Sequence, residues 1–223
     1  MDIYFVRHGE TEWNLRRVVQ GRSDIPLNEY GRELARITRR GLDEEGVSFD
    51  AAFTSPLVRA VETAQILLEG TGVTPVTDER LVEIDFGKYE GFSIPEVQEN
   101  PEYSDFAKCF EDPANYHPDE GESFYELYDR CGAFVKEVLI PLEKEARSVL
   151  ITAHGALIRG LMNVIDNTPV ERFWDRIQRN CAVNKLTLTD GVFATQYEGR
   201  IYYKEEHIYK SPSDKWLHLT PEA

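Results

Sequence analysis

Short runs of apolar, often β-branched residues alternate along the chain with stretches in which apolar residues recur every three or four positions. The apolar runs are typical of buried β-strands and predict strands at 2–7, 51–54, 75–77 and 148–153. Two later runs, 183–188 and 192–198, flank the turn-forming pair Asp190-Gly191. This arrangement predicts a β-hairpin near the C-terminus.

Helical periodicity is clearest at 27–42, where apolar residues follow one another at steps of three or four: Leu27, Tyr30, Leu34 and Ile37. Such spacing places these side chains on one face of a helix. Similar patterns predict three further helices, at 55–68, 122–145 and 155–165.

Some residues in these helices mark an end or weaken the pattern. Ser55 is predicted to be the N-cap of the second helix, and Pro56 to lie in its first turn. In the third helix, Gly132 near the middle and Pro141 near the end disfavour a regular helix. That helix is therefore the least regular of the four.

Strands that alternate with helices predict an α/β fold, specifically a three-layer α/β/α sandwich around a mostly parallel mixed sheet. In such sheets, ligands bind beyond the carboxyl ends of the strands. Two His-Gly pairs have that position: His8-Gly9 follows the first strand, and His154-Gly155 follows the strand at 148–153. The strand would place each imidazole, and the glycine would let the backbone turn and approach a ligand.

Residues 88–129 differ from the rest of the single predicted domain, 1–223, because they are rich in aromatic and turn-forming residues. From 96 to 129 there are eleven acidic residues and one basic residue, Lys108. We interpret the segment as an inserted lid over the strand ends, because linkers are poor in aromatic residues. Its aromatic side chains either contact an apolar part of a substrate or form the core of the lid, with the acids on its solvated face.

Composition narrows the classes of function. The chain has 223 residues, 41% of them hydrophobic, and a formal net charge of −15, so its surface as a whole would repel nucleic acid. No stretch approaches the about 20 apolar residues needed to cross a bilayer, and the first apolar run is too short for a signal peptide. Three cysteines without metal-site spacing predict reduced thiols. We expect a cytoplasmic protein without membrane association, with a polar, partly disordered tail at 204–223.

The candidate chemistry lies at the strand ends. Arg7 and His8 end the first strand, His154 ends another, and Arg59 lies one turn into the helix after the second strand. Two arginines and two histidines would form a site for a doubly charged tetrahedral oxyanion, because a guanidinium offers paired hydrogen bonds to phosphate oxygens. Paired histidines also bind metals, but adjacent guanidinium groups would oppose a divalent cation, so no metal or cofactor is predicted. From these residues alone, structural and functional roles are equally supported.

Six sequence blocks follow one another along the chain: FVRHGETEWN, QGRSDIPLNEYG (20–31), TSPLVRAVETA (54–64), LVEIDFGKYEG (81–91), GES (121–123) and VLITAHG (149–155). In content and order they resemble the motifs of the histidine phosphatase superfamily, also described as the phosphoglycerate mutase-like fold. They span about two-thirds of the chain. The resemblance implies metal-independent phosphoryl transfer from a small-molecule phosphomonoester.

The resemblance also implies roles for individual residues. His8 matches the nucleophile that becomes phosphohistidine, and Arg7, Arg59 and His154 match the clamp on the phosphoryl oxygens. The surrounding cations would lower the pKa of His8 and keep its attacking nitrogen unprotonated. Glu83 matches the proton donor to the leaving oxygen, which later becomes the base for water.

Other matching positions are expected to bind the substrate. Asn14 matches a further hydrogen-bond donor to phosphate, and Thr11 would contact it through its hydroxyl or amide. The remaining predicted phosphate- or substrate-binding residues are Gln20, Gly21 and Gly155. Asp85 is an alternative proton donor, and Glu10 is expected to orient its neighbours.

The superfamily contains both phosphatases and mutases. Phosphoglycerate mutases that resemble this chain typically have TGW where it has QGR at 20–22, and they bind a substrate carboxylate with basic residues after the catalytic glutamate. Between 84 and 129 this chain has only Lys88 and Lys108, so a second substrate anion lacks obvious partners and a phosphatase is favoured. The alternatives are a 2,3-bisphosphoglycerate-dependent phosphoglycerate mutase and a non-catalytic phospholigand-binding module. The resemblance also allows a homodimer.

Overall fold

One mixed six-stranded sheet forms the centre of the molecule in the computed structural model, which describes residues 1–204 apart from the side chains of Gln98 and Glu99. The strands are β1 (Asp2–Arg7), β2 (Ala51–Thr54), β3 (Val76–Thr77), β4 (Ser148–Ala153), β5 (Val183–Thr189) and β6 (Val192–Arg200). Their order across the sheet is β3-β2-β4-β1-β5-β6. The first four in that order are parallel, whereas β5 is antiparallel to β1 and to β6. The predicted mostly parallel mixed sheet is confirmed.

Helices fill the connections between the strands. The α-helices are α1 (Glu12–Leu15), α2 (Glu29–Glu44), α3 (Val58–Leu67), α4 (Ile94–Glu99), α5 (Ser104–Glu111), α6 (Phe124–Phe134), α7 (Ile140–Leu142) and α8 (Gly155–Asp166). Short 3₁₀ turns lie at Glu79–Leu81, Gly87–Tyr89, Pro101–Tyr103, Pro113–Asn115 and Val170–Asp175. The longest connection, between β3 and β4, contains α4 to α7.

Helices cover both faces of the sheet, because successive side chains of a strand point to opposite sides. In β1, Ile3 and Phe5 belong to a core cluster that also contains buried residues of α6 and α8. Tyr4 and Val6 belong to a second cluster, together with Leu42 of α2. The predicted three-layer α/β/α sandwich is therefore confirmed.

The predicted hairpin and the first long helix are present with small changes in their bounds. Strands β5 and β6 form the hairpin, and its turn residues Asp190 and Gly191 have φ values of +52° and +77°. Positive φ at both positions matches the twist of a tight hairpin. The helix predicted at 27–42 is α2, which starts later because Asn28 is its N-cap and accepts a hydrogen bond from the Gly31 N–H.

The prediction for the start of α3 is wrong. Leu57, not Ser55, is the N-cap residue, and its side chain makes no capping hydrogen bond. The Asp24 carboxylate instead accepts a hydrogen bond from the Val58 N–H at 2.7 Å. Pro56 consequently precedes the helix, and the Ser55 hydroxyl lies in the candidate active site.

The helix predicted at 122–145 is irregular, as its sequence indicates. After the N-cap Ser123, α6 continues through a π-helical turn, Val135–Leu139, into α7. Gly132 is accommodated within α6. Pro141 has no N–H to donate to the preceding turn, and the widened turn lies immediately before it, as expected for a helix distorted near a proline.

The segment 88–129 contains α4, α5 and the start of α6, and its aromatic side chains pack together. The rings of Tyr89 and Phe106 have centroids 4.5 Å apart, and the ring of Phe124 lies 4.3 Å from that of Phe173, which is outside the segment. All four residues belong to the main core cluster. Burial of these rings supports the interpretation that they form a packed core, with the acids around it.

Three further expectations concern the tail, the membrane and the cysteines. The tail predicted to be partly disordered lies outside the described residues from position 205 onward. Within residues 1–204, no helix has the length and apolar character needed to cross a bilayer. Cys109, Cys131 and Cys181 are buried and carry free thiols, in agreement with the prediction of reduced cysteines.

Candidate active site

Parallel pairing of β1 with β4 brings the two predicted histidines together. Arg7, the last residue of β1, pairs with Ala153, the last residue of β4. The His8 N–H then donates to the Ala153 carbonyl at 2.9 Å. The rings of His8 and His154 consequently have centroids 5.2 Å apart, and the two residues are 3% and 0% exposed.

The hydrogen bonding of His8 determines which of its ring nitrogens can react. Nδ1 lies 2.7 Å from the Gly9 carbonyl oxygen, and a carbonyl can only accept, so Nδ1 carries the proton. Nε2 of the neutral ring therefore keeps its lone pair. Burial, followed by the charges of Arg59 and Arg7, holds the pKa of His8 well below its ordinary value of 6.5. The lowered pKa agrees with the prediction, although burial contributes more than the cations.

Among the described residues, the ring nitrogen of His154 without a protein partner is Nδ1, whereas in His8 it is Nε2. Its Nε2 lies 2.7 Å from Ser55 Oγ, and that oxygen accepts a hydrogen bond from the Leu57 N–H at 3.3 Å. The hydroxyl hydrogen can then donate to Nε2, so that the proton of the neutral ring lies on Nδ1. Nδ1 is buried and has no hydrogen-bond partner among the described residues. Burial and the charge of Arg59 hold the pKa of His154 well below 6.5.

The two predicted arginines are bound by backbone carbonyls. Arg7 Nη1 donates to the Gln178 carbonyl at 2.6 Å. Arg59 is fully buried and donates to the carbonyls of Gly21 and Ser23, each at 2.7 Å. The Nε atoms of both arginines are buried without a partner among the described residues. Burial lowers the pKa of Arg59 to about 10, so this arginine keeps its charge at neutral pH.

The loop that holds Arg59 is fixed by a carboxylate. Glu90 accepts hydrogen bonds from the backbone N–H groups of Arg22 and Ser23, each at 2.8 Å, and from the Ser23 hydroxyl at 2.6 Å. Gly21 has a φ of +49°, and a Cβ there would lie 2.0 Å from Glu90 Oε1. Gly21, predicted to bind substrate, thus positions Arg59 through its carbonyl.

Glu83 lies at the N-terminus of α8. Its Oε1 accepts a hydrogen bond from the Leu157 N–H at 2.9 Å, and its Oε2 accepts one from the Ala156 N–H at 3.1 Å. Burial lowers the pKa of Arg7 and of Arg59, and the charge of Glu83 partly raises both. The carboxylate is therefore within electrostatic reach of both arginines.

A buried ion pair holds the segment before Glu83. Arg130 donates to the Glu122 carboxylate through Nε at 2.6 Å and through Nη2 at 2.8 Å. Its Nη1 donates to the carbonyls of Arg80 and Val82 at 2.8 and 2.7 Å. Glu122 is the glutamate of the GES block, so this block supports the position of Glu83.

Two other acids of the motifs are engaged in loops. Asp85 Oδ1 accepts a hydrogen bond from the Gly87 N–H at 2.8 Å, and its Oδ2 lies 3.6 Å from Arg22 Nη1. Glu10 Oε1 accepts a hydrogen bond from Asn28 Nδ2 at 2.8 Å. Glu10 thus contacts Asn28, the N-cap residue of α2, and its orienting role stays a prediction.

Thr11, Asn14 and Gln20 form one hydrogen-bonded group at the start of α1. Thr11 Oγ1 accepts a hydrogen bond from the Asn14 N–H at 3.1 Å and donates to Gln20 Oε1 at 2.9 Å. Asn14 Oδ1 accepts from the Thr11 N–H at 3.1 Å and from Asn180 Nδ2 at 3.3 Å. Asn14 Nδ2 is therefore the end of this amide that can meet a ligand. Asn180 also donates to the His8 carbonyl at 3.1 Å and so links the group to the first His-Gly pair.

Sequence reasoning missed the Ser55 hydroxyl and a third arginine, Arg159. A Cβ added at Gly155 would lie 3.4 Å from Arg7 Nε and 3.4 Å from Arg159 Nη1, so this glycine lets two guanidinium groups approach the start of α8. Arg159 follows Gly155 by four residues, and this helical spacing is the signal that could have identified it.

The hydrogen-bond donors around His8 are suited to bind an oxyanion. The arginine Nε atoms and His154 Nδ1 supply N–H groups without internal partners among the described residues. Charged and neutral N–H donors of this kind bind phosphoryl oxygens. Within residues 1–204, no group of three or more histidine, cysteine, aspartate or glutamate side chains is placed to hold a metal ion.

Known proteins share both the sequence pattern and the fold. The family model of the histidine phosphatase superfamily (branch 1) matches residues 3–199. A probable phosphoglycerate mutase of Serratia proteamaculans (strain 568) is 32% identical over 187 residues, which cover 83% of this chain and 84% of that protein. The solved structure of Bacillus stearothermophilus YhfR is 32% identical with a TM-score of 0.81, covering 90% of this chain and 97% of its own. A mycobacterial glucosyl-3-phosphoglycerate phosphatase is 26% identical with a TM-score of 0.78, covering 89% of this chain and 98% of its own.

Proposed function

The chain belongs to the histidine phosphatase superfamily, and on this premise we propose that it is a metal-independent phosphomonoester hydrolase that forms a phosphohistidine at His8. Its substrate would be a small organic phosphate. The observation that carries the proposal is the hydrogen bond of His8 Nδ1 to the Gly9 carbonyl, because it leaves a lone pair on Nε2. A neutral imidazole surrounded by cations is suited to attack an anionic phosphoryl group.

In the first step, His8 Nε2 attacks phosphorus, so that an N–P bond forms and the bond from phosphorus to the leaving oxygen breaks. Glu83, in its protonated form, gives its proton to that oxygen. The Nε groups of Arg7 and Arg59 and the Nδ1 group of His154 donate to the equatorial oxygens, which carry the charge of the transition state. These donors lack partners among the described residues, so no such bond is broken when they engage the phosphoryl group.

In the second step, water attacks phosphorus and the N–P bond breaks, which releases phosphate. Glu83, now a carboxylate, accepts the proton of the water. Between the steps the imidazole of His8 carries a positive charge, and the Gly9 carbonyl, 2.7 Å from Nδ1, stabilises it. At the end His8 is again neutral, with its proton on Nδ1.

Trapping of the intermediate tests this proposal. The enzyme is mixed with a radiolabelled phosphomonoester and denatured in alkali, and protein-bound label is counted. We expect label on the wild-type protein, more label on Glu83→Gln because its second step is slowed, and none on His8→Ala. Turnover of His8→Ala should fall by about 10⁴-fold or more. The exposed His117 provides the matched control, and His117→Ala should retain both label and turnover. Undiminished turnover by His8→Ala would contradict the proposal.

A second candidate is a bisphosphoglycerate-dependent mutase. The Serratia proteamaculans relative is named a probable phosphoglycerate mutase, which favours a mutase of some kind. The distinction depends on which acceptor takes the phosphoryl group from His8. Incubation with 3-phosphoglycerate and a trace of the bisphosphate separates the candidates. Isomerisation without phosphate release would identify a mutase, whereas phosphate release would identify a phosphatase.

We also propose that residues 88–129 act as a lid inserted into a single domain. Glu90, in this segment, holds the loop that binds Arg59, which supports a link between the segment and the site. Cytoplasmic location and a homodimer stay predictions from the sequence.

A further inference from the structure

One side-chain amide in the loop between α8 and β5, that of Asn180, contacts three groups of the candidate site. Its Nδ2 lies 3.1 Å from the His8 carbonyl oxygen, 3.1 Å from the Gly9 carbonyl oxygen and 3.3 Å from Asn14 Oδ1. Asn180 lies outside the six motif blocks, and the proposed reaction gives it no part. The amide thus borders both the proposed nucleophile and a predicted phosphate-binding residue.

The orientation of the Asn180 amide follows from its neighbours. Carbonyl oxygens can only accept hydrogen bonds, so the NH₂ end of the amide, and not its oxygen, faces the two backbone carbonyls. The backbone of this loop is held as well, because the Asn180 carbonyl accepts a hydrogen bond from Tyr203 Oη at 2.8 Å. The next N–H, that of Cys181, donates to the Arg7 carbonyl at 3.0 Å. The loop is therefore tied to the end of β1, and the amide has one orientation.

The Gly9 carbonyl connects Asn180 to the proposed nucleophile. This oxygen accepts hydrogen bonds from His8 Nδ1 at 2.7 Å and from Asn180 Nδ2 at 3.1 Å. A carbonyl oxygen has two lone pairs, so the two donors use both of them and fix the direction in which the oxygen points. In a neutral imidazole, the hydrogen bond of one ring nitrogen determines which nitrogen carries the proton. Asn180 therefore holds the acceptor that keeps the proton of His8 on Nδ1.

The same NH₂ group orients the side chain of Asn14. Asn14 Oδ1 accepts hydrogen bonds from the Thr11 N–H at 3.1 Å and from Asn180 Nδ2 at 3.3 Å. Both neighbours are donors, so the oxygen end of the Asn14 amide faces them and its Nδ2 is left for a ligand. A flipped amide would have nearly the same shape but would present an oxygen to an anionic phosphoryl group. Asn180 thus selects the end of Asn14 that meets the substrate.

We infer that Asn180 is a positioning residue for the proposed reaction and acts through two neighbours. Through the Gly9 carbonyl it keeps the lone pair of His8 on Nε2, and through Asn14 it directs an N–H donor toward the phosphoryl group. Loss of the first contact should slow phosphoryl transfer, and loss of the second should weaken substrate binding. The inference rests on the proposed function, but the state of the His8 ring can be measured without any turnover.

Nitrogen NMR of the protein labelled with ¹⁵N in its five histidines tests the contact with His8. The signals of His8 are those that the His8→Ala spectrum lacks, and their shifts report which ring nitrogen carries the proton. We expect the proton on Nδ1 alone in the wild type and a mixture with the Nε2–H form in Asn180→Ala. Asn180→Asp keeps the shape of the side chain without the NH₂ group and should also give the mixture. Recovery of the single form in Asn180→Asp would show that Asn180 only fills space.

Steady-state kinetics on a phosphomonoester separate the two contacts. Asn180→Ala should lower kcat by about 10- to 100-fold, because the reacting nitrogen is misplaced, and raise KM by about 3- to 10-fold, because a donor to phosphate is lost. In an Asn14→Ala background, the effect of Asn180→Ala on KM should vanish, since no amide is left to orient. Its effect on kcat should persist there.

The matched control is Asn184→Ala. Asn184 is a buried asparagine of β5 whose amide has other partners, the Phe5 carbonyl at 3.3 Å and Gln178 Oε1 at 2.9 Å. This variant should keep the single form of His8 even if its melting temperature falls. An unchanged His8 signal or an unchanged kcat in Asn180→Ala would overturn the inference and leave the proposed function intact. A mixed His8 signal in a protein that keeps turnover without His8 would instead reject the proposed function and retain the control of the ring by Asn180.

Discussion

The arginines at the sheet edge and those on the surface of α2 use the same side chain in opposite ways. Each of the four α2 arginines is paired with an acid: Arg32 with Glu62 at 2.6 Å, Arg36 with Glu29 at 3.4 Å, Arg39 with Asp43 at 2.7 Å and Arg40 with Glu33 at 3.0 Å. At the sheet edge, Arg59 binds two carbonyl oxygens and Arg7 binds one. A carboxylate neutralises the guanidinium, whereas a carbonyl holds it in place and leaves its charge for a ligand. The chemistry of the partner, more than burial alone, therefore indicates which arginines serve binding.

The largest difference between the sheet-edge arginines and the α2 arginines should appear in the catalytic activity of an Arg59 variant. Arg59→Gln removes a donor and a charge from the phosphoryl site, and kcat/KM should fall by about 10²–10³-fold. Its free energy of unfolding should change by less than about 1 kcal/mol, because relief of an unpaired buried cation offsets the lost carbonyl bonds. Steady-state kinetics and urea denaturation measure both quantities.

Arg40→Gln is the matched control from α2. Its ion pair is exposed, so stability should change by about 0.5 kcal/mol or less and activity should not change. Similar kinetic losses in the two variants, or a large loss of stability in Arg59→Gln, would contradict the proposed difference between the sheet-edge and the α2 arginines.

Arg130 separates the effect of burial from the effect of the binding partner, because it is largely buried but paired with an acid, Glu122. Arg130→Gln leaves the Glu122 carboxylate without its counterion, and the free energy of unfolding should fall by about 3 kcal/mol. Thermal and urea denaturation measure this loss. Replacing both partners, Arg130→Gln with Glu122→Gln, should restore part of the stability. If the single variant were as stable as the wild type, the pair would not hold the segment before Glu83.

The last prediction concerns the two histidines and pH. Burial holds the pKa of His8 and of His154 well below 6.5 in the folded protein, whereas an unfolded histidine takes up a proton near 6.5. The unfolded state therefore binds more protons as pH falls below 6.5, and the free energy of unfolding should decrease there, by at most about 1.4 kcal/mol per pH unit for each histidine.

Denaturation at several pH values, for the wild type and His154→Asn, measures this slope, which should be shallower in the variant. Over the same range, kcat should show no loss as pH falls through 6.5, because His8 remains neutral. A kcat that halves near pH 6.5 would show that the nucleophile titrates like an exposed imidazole.

Sequence patterns located the main elements of the fold because those elements carry strong local signals. Buried strands such as 148–153 are short apolar runs, and α2 has a long apolar face. The prediction for the start of α3 is wrong because the first N–H of that helix, that of Val58, is bound by Asp24, which lies 34 residues earlier in the chain. A cap supplied by a distant loop leaves no local pattern.

The candidate site was predictable as far as the motifs extend. Motif resemblance identified His8 and His154, and the structure brings their rings together. Ser55 was assigned to a helix end, although its hydroxyl contacts His154, 99 residues away. Asn180 lies outside the motif blocks and reaches the site only because the chain returns to it after α8. Such contacts depend on tertiary structure, which spacing along the chain does not encode.

The register of β1 against β4 has a consequence for how this chain can vary. The distance between the two imidazoles is fixed because Asp2 is opposite Ser148 and Arg7 is opposite Ala153, six residues along each strand. Deleting one residue within either strand would shift one ring along the sheet edge and turn it toward the other face. Insertions in the surface loops would leave that distance unchanged. The strand pairing of buried core residues, which do not contact a substrate, therefore determines where insertions and deletions are compatible with the reaction.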